Sequence, residues 1–160
     1  MISCSSGGNK HNETDSSTAI NNSFKEVSAE YLIIPGQSVG KLKLDSNAAY
    51  VYDMWGKPDA GDAAMGKAIA TWYDDPDLPK QGVSIYTAQV TENPPALIKQ
   101  IRITHPKYQT ENGIGIGTEF NMIQETYHLT KDRGYKVGPD SISIFSDRSG
   151  ISFEIDKSQK

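Results

Sequence analysis

This 160-residue chain has a single cysteine, so no disulfide can form within it. It also lacks a basic excess, its formal net charge being −4. Nucleic acid is thereby excluded as the expected partner, because binding a phosphate backbone needs a basic stripe that displaces counterions. No apolar run reaches the length of a membrane-spanning helix. Its three histidines, His11, His105 and His128, have neither a histidine four residues on nor a neighbouring cysteine, so no zinc site is expected. A nucleophile motif such as G-x-S-x-G is missing. The expectation is a chain without catalytic chemistry, cofactor or metal.

What the chain does contain is a repeat at an offset of 72 residues. Leu42 and Leu44 recur as Ile114 and Ile116, and Ala48, Val51 and Trp55 as Phe120, Ile123 and Tyr127. Trp72 and Tyr73 recur as Ile144 and Phe145. The identities differ but the physical classes and spacings match, which reads as one supersecondary unit used twice.

The local pattern suggests what that unit is. Tyr31 to Ile34 is an apolar run closed by Pro35-Gly36, and Val39 to Leu44 alternates like a short strand. Asp45 or Ser46 caps a helix whose apolar stripe is Ala48, Val51, Tyr52 and Trp55. Gly56 stops it and Pro58 prevents resumption. Asp59 to Lys67 has no clear period and reads as a loop or a second short helix. Strands are expected over 68–73, 83–90 and 97–104, an antiparallel meander. In the second copy Thr118 caps a helix running to about Asp132, with Gly134 as its stop. Strands follow over 141–146 and 151–155, and one further strand would complete the copy after Lys160. The expected fold class is α+β: two tandem helix-plus-antiparallel-meander repeats, helices packed on one face of an antiparallel sheet. The divisions are 1–25 as a flexible tether, 26–110 as the first repeat and 111–160 as a shorter second repeat, forming one joint domain.

Cys4 is placed unusually. Ile2-Ser3-Cys4 reads like the end of a bacterial lipobox, without the hydrophobic stretch that comes before such a cysteine. Either that leader has been trimmed or the three-letter match is accidental. The segment from Ser5 to Phe24, rich in Ser, Asn, Gly, Thr and Lys, favours the first. Such a composition cannot bury enough surface to offset its ordering entropy. It makes a leash with a reach of roughly 25 Å. The expected localisation is therefore the bacterial cell envelope, in an exported chain held at a membrane by a lipid on Cys4.

The stretch from Leu44 to Pro58 resembles the signature of the BamE (SmpA/OmlA) outer-membrane lipoproteins, with Val51, Trp55, Gly56 and Pro58 at matching positions. It departs at Asp45, where that family has glycine; the second copy has the glycine, Gly117, but lacks the Gly-x-Pro ending. The tandem form is similar to the β-lactamase-inhibitor-protein architecture. The resemblance implies a non-enzymatic lipoprotein that binds other proteins in the cell envelope, and transfers no particular contact residue.

The remaining motifs favour plain structure. In Gly113-Ile114-Gly115-Ile116-Gly117-Thr118 the third glycine is one residue early for a dinucleotide fingerprint. Asp74, Asp75 and Asp77 lack the EF-hand spacing and read as a solvated turn. Adjacent strand residues point to opposite faces, so one of Trp72 and Tyr73 must leave the core. Trp72, Tyr73, Tyr86 and Phe145 are the candidate partner-binding residues, anchors for a protein on an open sheet face. The competing expectation is a small-ligand or lipid-binding module with a pocket between helices and sheet.

Overall fold

The computed structural model describes residues 26–75, 77–78, 81–89 and 95–157. Cys4, the tether and the prolines Pro76, Pro79 and Pro94 lie outside them. Among the described residues the chain is predominantly β. Two hairpin strands follow β1 (Leu32–Ile34): β2 (Ser38–Val39) and β3 (Leu42–Lys43). After α1 (Ala49–Trp55) come β4 (Ala60–Ala64), β5 (Lys67–Tyr73), β6 (Gly82–Ala88) and β7 (Leu97–Ile103). Then β8 (Gln109–Thr110) precedes α2 (Phe120–Thr126), β9 (Thr130–Lys131), β10 (Tyr135–Val137), β11 (Asp140–Ser146) and β12 (Ser152–Asp156).

These strands form three four-stranded sheets, which corrects the expected α+β fold: the chain is not two helix-plus-meander repeats with helices packed on one face of a single antiparallel sheet. The first sheet has the order β3-β2-β1-β8, closed by a parallel pairing of β1 with β8 in which Ile33 faces Thr110. The central sheet is the meander β4-β5-β6-β7. In the third, β11 lies between β12 and the two short strands β9 and β10.

Two local causes account for the excess helix expected. The segment 59–67 is neither loop nor helix but the rising arm of a hairpin. Met65 and Gly66 both take positive φ, +54° and +74°, the twist a two-residue turn needs to return the chain as β5. The second helix ends at Thr126 rather than near Asp132, because Thr130 and Lys131 pair with Ser146 and Phe145 of β11. Each helix is two turns long, so its stability comes from packing rather than propensity. Neither helix has a side-chain cap at its first position; Asn47 instead accepts the Ala49 N–H at 2.9 Å.

The main core lies between α1, the first sheet and the inner face of the central sheet. Val51 and Ile85 are fully buried there beside Leu42, Trp72, Val83 and Ile98. Trp72 meets Tyr52 and Trp55 edge-on, with ring centroids 5.4 and 5.5 Å away, and its indole N–H donates to the Gly56 carbonyl. On the third sheet Phe145 packs at 4.8 Å on Phe120 of α2, and Ile123 is buried as Val51 is. The burial of β5 and β11 coincides when Trp72 is set against Phe145 rather than Ile144, one residue beyond the offset expected.

The turns bring the parts together. A side-chain carbon on Gly36 would meet the Ser149 carbonyl at 2.4 Å, and one on Gly150 would meet the Gly36 Cα at 2.7 Å. The turn after β1 can touch the turn between β11 and β12 only because both residues are glycine. Asp45 has φ +58°, a region that favours glycine. A bulge in β7 leaves Lys99 outside the paired register, and its ammonium reaches the Asp45 carboxylate at 2.6 Å.

Replacing Ile85 by Ala is expected to cost about 2–5 kcal/mol in urea unfolding, as for a fully buried aliphatic. Asp45→Gly is expected to lie within about 1 kcal/mol of the parent, because relief at positive φ offsets the lost exposed ion pair, whereas Asp45→Ala is destabilising.

Candidate functional site

Strand alternation sorts the central sheet into two faces. On β6, Val83, Ile85 and Thr87 point into the core, so Ser84 and Tyr86 point away from the helix. Across the register Tyr86 lies between Ile69 and Gln100, and Ser84 between Thr71 and Arg102. The same rule applies to the third sheet. Ser143 and Phe145 point inward, which places Ile142 and Ile144 on the helix-free face together with their register partners Tyr135 and Glu154.

The helix-free sides of these two sheets meet at one cluster. Arg102 of β7 donates to Glu154 Oε2 of β12 at 2.6 Å. The Tyr135 hydroxyl of β10 donates to the same oxygen at 2.9 Å, and Arg102 also reaches that hydroxyl at 3.4 Å. The Glu154 hydrogen bond raises the Arg102 pKa further above its ordinary value. Burial first, then the bond to Glu154, raises that of the Tyr135 phenol. Tyr86 lies within electrostatic range of both. The cluster thus joins a guanidinium, a carboxylate and a phenol, with a second phenol beside them. It remains partly open to solvent, with Tyr135 38% exposed. Such a set can recognise a surface by hydrogen bonding and aromatic contact; it holds no nucleophile paired with a base.

The residues expected to be partner anchors are distributed differently. Trp72 and Phe145 are buried in the two helix-facing cores. Tyr73 is half-buried on the opposite side of β5, its N–H donating to Asp59 at 2.8 Å. Tyr86 is half-buried and is the one of the four near the Arg102 cluster. Sequence reasoning missed Arg102, Tyr135 and Glu154. Their one available signal was polarity at alternate positions of β-patterned segments, which says that a residue faces outward but not what it meets.

A second polar cluster lies just past the ends of β5 and β7. Asp74, just after β5, pairs with Lys107 and lies 3.3 Å from His105 Nε2. His105 Nδ1 in turn accepts the Lys107 N–H at 3.0 Å, so both ring nitrogens are engaged by neighbours. The bond from Lys107 lowers the Asp74 pKa below its usual 3.8. Burial, with the Asp74 charge, pushes the Tyr108 phenol up to about 12. Lys107 also sits over the rings of Tyr31 and Tyr108 at 5.1 and 5.4 Å. This is a clasp between the central and first sheets. Among the described residues no group of three or more His, Cys, Asp or Glu is arranged to hold a metal ion.

No protein-family model, no curated protein and no solved structure matches this chain.

The Asp74 shift sets a pH dependence. A carboxyl held below its unfolded value stabilises the fold above that value and loses the contribution as pH falls through the folded one. Asp74→Asn is therefore expected to be less stable than the parent at pH 7, and the gap to close as the pH is taken well below 3.8 in parallel urea titrations. A double-mutant cycle on Arg102→Ala and Glu154→Ala is expected to give a favourable coupling of about 0.5–1 kcal/mol that shrinks with added salt.

Proposed function

We propose that this chain is a non-enzymatic protein-binding domain of the bacterial cell envelope, held at a membrane by a lipid on Cys4, with an accessory, scaffold or inhibitory role. The observation that carries the binding reading is the cluster of Arg102, Glu154 and Tyr135 beside Tyr86, on the helix-free side of two sheets. Tyr and Arg are the residue types that dominate the energy of protein interfaces. A set already fixed by mutual hydrogen bonds loses little freedom on binding. Tyr73 and Ile69, half-buried on the same side of β5, extend this surface apolarly.

The resemblance to the BamE-type signature gains support from the backbone. Asp45 stands where that signature has glycine and takes φ +58°, and Gly117, 72 residues on, takes φ +89°. Gly56, at the helix-ending glycine of the signature, takes φ +74° and its N–H bonds to the Tyr52 carbonyl. The competing ligand-pocket reading has less behind it. The grooves near 330 and 320 Å³ are open to solvent, and neither has a lining residue from α1 or α2.

The test is site-specific photo-crosslinking of the full chain in its native cell. A crosslinker at position 86 or 135 is expected to give an adduct of one common mass, absent for a crosslinker at Glu125 on α2 and lost when Arg102→Glu is added. Adducts confined to position 125, or none from either face position, overturn the reading. Cys4→Ser is expected to abolish fatty-acid labelling and release the chain from the membrane fraction; unchanged labelling removes the anchor.

A further inference from the structure

The third sheet has a second surface that this reading does not use. There a groove of about 330 Å³ takes Lys131, Lys136, Lys157, Ser141 and Ser143 from the side away from Glu154, with Gly134, Tyr135 and Ile142 completing its lining. Register explains the grouping. Lys136 of β10 pairs with Ser141 of β11, and Lys157 follows Asp156, whose partner is Ile142, so the two lysines flank Ser141. Lys131 of β9 pairs with Phe145 and so shares the face of Ser143 and Ser141. Three lysines therefore line the groove, one each from β9 and β10 and one from just past β12.

Among the described residues Lys131, Lys136 and Lys157 have no carboxylate partner, whereas Lys99, Arg102 and Lys107 are all paired. The nearest acid on β9's continuation, Asp132, is bonded to the Ser146 hydroxyl. Asp156 and Glu154 alternate to the other face. The floor is polar as well. Ser143 is only 2% exposed and, among the described residues, its hydroxyl has no hydrogen-bond partner, yet it is not sealed from solvent. Gly134 keeps the floor open, since a side-chain carbon there would meet the Ile142 carbonyl at 2.5 Å. In a chain of net charge −4, an unpaired triple lysine over a buried hydroxyl is a local reversal of sign.

We propose that this groove binds a phosphate ester. Lysines act as point charges that approach a tetrahedral oxyanion from several directions, and serine hydroxyls donate to its remaining oxygens. The planar fork that a carboxylate prefers is not provided, there being no arginine in the lining. The volume exceeds what a bare phosphate fills and lies at the lower end of small-ligand sites, so the ester carries a small organic group. That group belongs to a soluble metabolite or to a lipid headgroup. Its lysines lie on the opposite face from Arg102 and Glu154, Tyr135 bordering both sites, and the proposal does not depend on the protein-binding reading.

Two probes separate the sources. The full chain is titrated with glycerol 3-phosphate while backbone amide shifts are followed by NMR. Separately it is co-sedimented with phosphatidylcholine vesicles with and without phosphatidylglycerol. Saturable shifts centred on Ser141 and Ser143 support a soluble ester. Sedimentation only with phosphatidylglycerol, weakened by Lys136→Gln/Lys157→Gln, supports a headgroup. In whichever arm binds, the double variant is expected to lose affinity by about fivefold to tenfold, while Lys41→Gln/Lys43→Gln on the first sheet changes nothing. Ser143→Ala reads the floor hydroxyl and Lys131→Gln the third charge, and the lysine changes lie at exposed positions that leave the core untouched. Absence of binding in both arms overturns the proposal. So does shift perturbation spread evenly over all lysines, or a double variant that binds like the parent.

Discussion

The phase of β5 is the constraint on which the rest depends. Trp72 turns inward, fills the space under α1 against Tyr52 and Trp55, and ties the helix end to the sheet through the Gly56 carbonyl. A strand has only two faces, so Tyr73, Thr71 and Ile69 are then committed to the other side, and the pairing carries that choice to Tyr86 and Arg102. A slip of one residue would place the indole in solvent and drive Tyr73 into the helix. The position of the candidate binding cluster follows from that one aromatic contact.

The third sheet obeys the same rule with a different result. Phe145 takes the inward place against Phe120, and the face it leaves carries Tyr135 and Glu154 to meet Arg102. The Phe145 face continues beyond the reach of the short α2 helix, and there the lysines lie exposed around the buried Ser143. A longer helix, of the kind first expected, would extend α2 further into the turn and strands that follow it. The groove thus lies where helix gives way to strand pairing between β9 and β11. One sheet presents an aromatic and charge-balanced side and a basic side, suited to different partners.

Much of the local structure was legible in the chain. The stripe Val51–Trp55, the stop at Gly56, the turn at Pro35-Gly36 and strands β5, β6, β7, β11 and β12 stand within a few residues of where pattern and turn chemistry put them. These are short-range effects. The misreadings have physical sources as well. Ala60–Ala64 is too small and too exposed to show any period, and becomes a strand through pairing with β5. Thr130–Lys131 is polar and becomes a strand through β11. Of the expected anchors, the alternation argument split Trp72 from Tyr73 but could not say which one turned inward, since both are large aromatics.

By itself the sequence determined the periodicities, the turns and the two buried helical anchors, because each depends on residues a few positions apart. Only the tertiary structure decided that the strands divide into three sheets and that Arg102 meets Glu154. It alone also left three lysines without a carboxylate partner among the described residues, around one hydroxyl. Those outcomes depend on which edges pair and which faces are covered, and contacts between residues 52 positions apart leave no mark on local pattern.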